Sequence, residues 1–365
     1  MSVPAVIPNS GSHKIFYAVD SYSGSTWYRC RVPGLELAAR GHEVRLSDKM
    51  LPEDLDWCDI LVIQRLWDER SVEAVENANR AGKMTVFDID DDYWCINPSN
   101  PAYEFWAQPG MLDSLVQVIR ACQRVTVSTE PLRRVLERFS SDVRVLPNMI
   151  PPAYWPAEGK PAKMTGDLVI GWAGSPTHYE DLHDVIRVIP QLLDRYPEIE
   201  VWFAGIQPGY FPDHERLRYL TPVDVEEYAH LLYQFDIAIA PLQGHRFNVA
   251  KSDLKLLEYS MIGLPIVASR VAPYENSLKH GETGYFARNP KDWLKYLSML
   301  VEDPERRVRL AAAARAWAET RTMTQNIGLW ERAYGIEPMR PASVSTPGED
   351  SPGRPLRPTS GTDPA

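Results

Sequence analysis

Glu258 is the residue whose position is hardest to explain by packing alone. It lies in Phe247-Asn248-Val249-Ala250-Lys251-Ser252-Asp253-Leu254-Lys255-Leu256-Leu257-Glu258-Tyr259-Ser260-Met261-Ile262-Gly263, which Leu264-Pro265-Ile266-Val267-Ala268-Ser269 follows. A polar, basic loop opens a helix here. Ser252 suits its N-cap, because a hydroxyl can accept an orphan backbone N–H. Gly263 suits the left-handed C′ position, and Pro265 cannot continue the helix. Leu254, Leu257 and Met261 form one stripe at i, i+3 and i+7, with Glu258 as its i+4 member. Leu256 and Ile262 lie off that stripe, so the helix is covered on more than one side. A buried carboxylate needs hydrogen-bond donors. They are either a Lys or Arg, or the hydroxyls of a ligand such as a ribose. The segment alone leaves both open.

Four other sets of residues could do chemistry. Ile170-Gly171-Trp172-Ala173-Gly174-Ser175-Pro176-Thr177-His178 follows a strand, and Thr177 with Glu180 has capping-box spacing. Gly174 and Ser175 could bring backbone N–H groups to an anion at a helix N-terminus, although the loop matches neither GxGxxG nor Walker A. The alternative is an ordinary turn. Lys251 and Ser252 form a second candidate anion site, against the alternative of a solvated lysine and a plain cap. Asp88-Ile89-Asp90-Asp91-Asp92 gathers four carboxylates after a strand. Such a run suits a cation, a general base or hydroxyl ligands, or is simply an acidic turn. The Ser21 to Arg29 loop offers Ser25, Tyr28 and Arg29 for substrate contact. His178 sits where it could touch phosphate or sugar, whereas His42 reads as structural.

A length of 365 residues suggests two domains. A net charge of −10 argues against broad nucleic-acid binding. Cys30, Cys58, Cys95 and Cys122 form no CxxC pair and no metal-ligand spacing, which points to reduced thiols and a cytoplasmic setting. Met1 to His13 lacks the pattern of a signal peptide, and no apolar run reaches transmembrane length.

The elements alternate between strand and helix. Strands are expected at Lys14–Val19, from Gly41 to Val44, Ile60–Ile63, Met84–Phe87, Val125–Val127 and Val143–Leu146. Helices are expected near Val32–Ala39 and Glu69–Ala81. Pro147-Asn148-Met149-Ile150-Pro151-Pro152 opens a Pro-rich linker running to Gly166. A second series follows: strand Leu168–Ile170, a helix from about Glu180, strand Val201–Ala204, helix Val225–Phe235, strand Ile237–Ala240, then the Glu258 helix. Helices are also expected at Lys291–Glu302 and Glu305–Tyr334, with a disordered tail at 337–365. Repeated βαβ units imply parallel sheets, which bind ligands at the carboxyl ends of their strands. Two such domains create a cleft.

These residues together resemble the GT-B-fold glycosyltransferases, most of all glycosyltransferase family 4, from about Lys14 to Tyr334. The matching pieces are Gly41-His42-Glu43-Val44, Val145-Leu146-Pro147-Asn148, Ile170 to Ser175, Asp236 to Leu242 and, most specifically, Leu256 to Ser269. The resemblance implies an α/β fold of two Rossmann-like domains facing across a cleft. The first spans 1–150 and binds the acceptor. The second spans 151–317 and binds the donor, and a helix at 318–336 crosses back to the first. The implied reaction is a retaining transfer from a nucleoside-diphosphate sugar to an acceptor hydroxyl, with no obligatory metal and no cofactor.

Glu258 matches the second Glu of the family's E-x7-E motif, which binds the donor ribose. Ala250 stands in place of the first, for which Asn248 or Asp253 could substitute. The family's Arg and Lys after the first strand of the second domain are also missing, and Lys251 could supply that charge. The expected donor site is therefore Gly174, Ser175, His178, Asn248, Lys251, Ser252, Asp253 and Glu258. Asp88, Asp90 or Asp91 would act with Lys251 at the reacting centre, and Ser25, Tyr28 and Arg29 would lie on the acceptor side. The rival readings are a sugar-nucleotide epimerase, a non-catalytic sugar-nucleotide binding protein, and a transferase acting on modified bases in phage DNA. The acceptor itself (glycan, small molecule or modified base) stays open.

Overall fold

The structure, a computed structural model, describes residues 11–163 and 166–336. The expected disordered tail at 337–365 lies outside them. Each domain is built on one six-stranded, all-parallel sheet. The first contains β1 (Lys14–Val19), β2 (Glu43–Ser47), β3 (Ile60–Gln64), β4 (Met84–Ile89), β5 (Arg124–Val127) and β6 (Val143–Val145) in the order β2-β1-β3-β4-β5-β6. The second contains β7 (Leu168–Ala173), β8 (Ile199–Ala204), β9 (Leu217–Leu220), β10 (Ile237–Ala240), β11 (Ile266–Ser269) and β12 (Tyr285–Ala287) in the order β12-β11-β10-β7-β8-β9. The central strands are buried along their length, as helices on both faces require. Strand order reverses between β1 and β3 and between β7 and β10. A crevice opens at such a reversal, and the loops after these strands line the cleft.

Several elements differ from expectation. β4 runs on to Ile89, so Asp88 lies inside the strand, in register with Gln64 and Thr126. The expected helix from Glu180 is a pair of tight turns, Pro176–His178 and Asp181–Val185, and regular α-helix begins only at Val188. No side chain caps the first turn, because the Ser175 hydroxyl is engaged with that of Thr177 at 2.6 Å. Val225–Phe235 is likewise a short turn and a five-residue helix. The run to Tyr334 breaks after Glu319 and resumes as Met323–Asn326 and Gly328–Ala333.

The junction between domains is packed rather than loose. Met149 and Ile150 are buried. The Ile150 N–H donates to the Arg321 carbonyl at 2.9 Å, and the Met323 N–H donates to the Ile150 carbonyl at 2.8 Å. The returning segment then covers the first domain. The Arg124 guanidinium donates to the Ala333 carbonyl at 2.5 Å, and the rings of Tyr17 and Tyr334 meet edge-to-face at 6.2 Å.

Candidate active site in the interdomain cleft

The helix Leu254–Ile262 ends at Gly263 in the left-handed conformation (φ 84°). All residues from Leu256 to Ile262 are buried, so it is covered on more than one side. Its first turn differs from the sequence reading. Asp253, not Ser252, is the N-cap residue, and no side chain makes the cap bond. Ser252 instead accepts from the Asn148 amide at 2.9 Å.

Glu258 is 6% exposed and meets hydroxyls rather than a cation. Its Oε1 accepts from the Tyr28 hydroxyl at 2.8 Å, across the cleft. Its Oε2 accepts from the Tyr228 hydroxyl at 3.3 Å. Burial raises its pKa, and Lys255 and the two tyrosines oppose that shift. A carboxylate whose neighbours are hydroxyls is chemically matched to a vicinal diol.

A cavity of about 390 Å³ opens beside it. Of the expected site residues it is lined by Ser25, Tyr28, Asp90, Asp91, Gly174, Ser175, His178, Lys251, Ser252 and Glu258. Lys251 approaches Asp91 at 3.4 Å and lies over the Phe247 ring at 4.7 Å. Burial raises the Asp91 pKa, against the lowering effect of Lys251. Ser25 donates to Asp90.

His178 is pulled down to a pKa of about 4, chiefly by burial. It is therefore neutral near pH 7. Its Nδ1 lies 2.7 Å from Asp181 Oδ2, and Asp181 is held below the usual carboxylate range by that bond despite burial. Nδ1 is thus the donor, and Nε2 is left as an acceptor. Such a ring suits a sugar hydroxyl and not a phosphate.

Four expected residues lie elsewhere. Asp88 and Arg29 are both fully buried and hold each other, with Arg29 Nη2 to Asp88 Oδ2 at 2.7 Å and Nε to Oδ1 at 3.0 Å. The extension of β4 turns Asp88 inward, where Thr126 also donates to it at 2.7 Å. Arg29 continues to Asn148 at 3.2 Å, and Asn148 in turn donates to Ser252. This pair supports the cleft without facing it. Asp253 pairs with Arg321 at 3.2 Å and accepts from Ser277. Asn248 donates to Asp181 at 2.9 Å and is buried behind the cavity wall. Both are thus engaged by protein partners. Ala250 itself packs into the apolar cluster of the first domain, and its carbonyl accepts from Thr129 at 2.7 Å.

Sequence reasoning missed Lys255, Tyr228, Tyr274 and Asn148, which all line the cavity. Lys255 could have been found, being three residues before Glu258 in the same helix. Its ammonium donates to the Ala173 carbonyl, stands 4.9 Å from the Trp172 ring centre, and is lowered to a pKa of about 8 by burial. Tyr228 carries no local signal. Among the described residues no group of three or more His, Cys, Asp and Glu could hold a metal ion, and no helix is long and apolar enough to cross a membrane.

Residues 167–303 match the family model described as "Glycosyl transferases group 1". D-inositol 3-phosphate glycosyltransferase of Corynebacterium urealyticum is 24% identical over 176 residues, covering 42% of this chain and 40% of that protein. The chain thus spans about two fifths of the length of such curated relatives. Anabaena Alr3699/HepE, crystallised with UDP and glucose, aligns over 88% of this chain and 98% of its own, with TM-score 0.61 and 12% identity. Sucrose-phosphate synthase of Thermosynechococcus elongatus aligns over the same shares, with TM-score 0.59 and 13% identity. The fold is therefore that of the GT-B glycosyltransferases.

Proposed function

We propose that this chain, which carries the GT-B fold with a group 1 glycosyltransferase segment in its second domain, transfers a sugar from a nucleoside-diphosphate donor to an acceptor hydroxyl. The observation that carries the reading is Glu258, a buried carboxylate bonded only to hydroxyls at the edge of a cleft cavity. It takes the place of a ribose-binding group. Lys251, just before the helix, and Lys255, in its first turn, both line that cavity and would hold the diphosphate, with Gly174 and Ser175 beside them. Val223 and Val225 supply an apolar side for a base. The neutral His178 would accept from the donor sugar. Asp91, beside Lys251, would orient the acceptor hydroxyl.

Catalysis in such a site is positioning together with stabilisation of the departing diphosphate. Retention of configuration and independence of metal belong to the same reading and follow from the family resemblance alone. HepE was crystallised with UDP and with UDP-glucose, which makes uridine donors the first to try.

The test is thermal stabilisation by a panel of UDP-, GDP- and ADP-sugars. At a concentration 100-fold above Kd, one donor should add about 2.7 kcal/mol. Glu258→Ala should reduce that shift. No shift with any donor, together with no donor hydrolysis, would sink the transferase reading. An unchanged shift in Glu258→Ala would remove Glu258 from the site.

A further inference from the structure

Asp181 stands behind the wall of the cleft cavity and touches it only through His178. It opens the tight turn Asp181–Val185 and is 3% exposed. Its Oδ1 accepts from the Gln243 N–H at 2.8 Å and from the Asn248 amide at 2.9 Å. Its Oδ2 lies 2.7 Å from His178 Nδ1. Three segments thus meet on one carboxylate: the loop after β7, the loop after β10 and the short helix Arg246–Val249. A purely structural anchor accounts for Oδ1, which ties the second and third together. It does not account for Oδ2, whose partner among the described residues is the imidazole.

An ionised carboxylate only accepts hydrogen bonds, so the ring hydrogen of His178 must be on Nδ1. Burial keeps the ring neutral near pH 7, which leaves a lone pair on Nε2. The Trp172 ring meets the imidazole edge-on at 6.0 Å and limits its rotation. His178 lines the cavity, and the nitrogen opposite Asp181 is the one left for a ligand.

A group that meets Nε2 must donate a hydrogen. A hydroxyl can. A carboxylate or phosphate oxygen ionised at neutral pH cannot, and would set its charge against a lone pair. The charges of the cavity point the same way. Among the described residues its lysines are Lys251 and Lys255, which the diphosphate would take, while Asp90, Asp91 and Glu258 are acidic. A second anion on the donor sugar has no partner left there.

Resting on the transferase reading above, we infer that Asp181 is a positioning residue that selects the donor sugar. It fixes the proton of His178 on Nδ1, so that the site takes an uncharged sugar through a hydroxyl on Nε2 and rejects a uronic acid.

Asp181→Asn keeps the shape and reverses the effect. Oδ1 still accepts from Gln243 and Asn248, so the amide nitrogen replaces Oδ2 and donates to Nδ1. The ring proton then moves to Nε2. In the full chain carrying isotope-labelled histidine, proton–nitrogen correlation spectra at neutral pH should show His178 protonated on Nδ1 in the wild type and on Nε2 in Asp181→Asn. His178→Gln assigns the signals by their loss. In calorimetry the wild type should bind UDP-glucose at least about tenfold tighter than UDP-glucuronate, and Asp181→Asn should lose most of that preference. A wild-type ring protonated on Nε2 would overturn the positioning role without any variant having to fold, and so would a ring unchanged in Asp181→Asn. Equal binding of the two donors by the wild type, or a preference that survives in Asp181→Asn, would overturn the selectivity. Absence of stabilisation by every donor of the panel counts against transfer itself, and the spectra then still decide whether Asp181 sets the ring.

Discussion

Lys255 lines the cleft cavity from the first turn of the Glu258 helix. Its ammonium is packed beside Trp172 and Tyr259 and bonded to one backbone carbonyl, so burial lowers its pKa to about 8. Glu258 and Asp181 oppose that lowering, while Lys251 adds to it. A bound diphosphate would favour the charged form and raise the value again. Below pH about 8 the lysine is already protonated and donor affinity is level; above it, binding must take up a proton and affinity falls, by at most tenfold per pH unit. Calorimetric Kd values measured from neutral pH upward should show that fall. Lys255→Met should weaken binding at neutral pH by about tenfold, the equivalent of ~1.4 kcal/mol, and flatten the profile. A wild-type affinity that is level well above pH 8 would exclude Lys255 from the diphosphate.

At the scale of elements, the donor loop after β7 is held by its neighbour after β8. The Gly174 N–H donates to the Ala204 carbonyl at 3.0 Å, and Gly205 follows with φ 89°. A Cβ on Gly205 would stand 2.1 Å from the Gly174 carbonyl oxygen. That neighbour is backbone, so the loop itself must move. Left-handed backbone adds about 1–2 kcal/mol for a residue with a Cβ. Gly205→Ala should lower Tm by several degrees and also abolish donor stabilisation, read by the same thermal assay. A variant that melts early yet still responds fully to donor would show that the loop position does not matter. The central strands were legible because buried parallel strands are continuous apolar runs, as at Ile60–Gln64 and Ile237–Ala240. Short edge strands such as β9 and β12 carry no such run and were not seen. Asp88 was misplaced by two residues of strand, enough to move it from the cleft to the interior. Glu258 was legible as a buried acid within its own helix. Its partner Tyr28 was not, because that contact closes over 230 residues of chain.

Across the whole molecule, the first domain is completed by the far end of the chain. Trp330, Ile327 and Tyr334 are essentially fully buried and share one apolar cluster with Ile15, Tyr17 and Val62 of β1 and β3. Polar contacts fix the same arrangement. Arg40 pairs with Glu331 at 3.1 Å, and Arg144 donates to the Arg332 carbonyl at 2.9 Å. Burying a tryptophan of this kind is worth about 3–5 kcal/mol against alanine, a large share of the stability of a single domain. Each domain also has an apolar cluster without the segment, in the second between Leu168 and Leu310 and in the first around Phe16, Leu61 and Leu115, but Arg40, Arg124 and Arg144, which hold the segment, all belong to the first. The two domains therefore depend unequally on the returning segment. A chain ending at Arg321 should leave the face of the first sheet uncovered. In hydrogen exchange read by mass spectrometry, amides of β1–β5 should lose protection by several orders of magnitude, while those of β7, β8 and β10 keep most of theirs. Equal loss in both sheets would mean the domains unfold as one unit. Retained protection of β1–β5 would show that the segment from Thr322 to Ile336 only rests on a first domain that is stable without it.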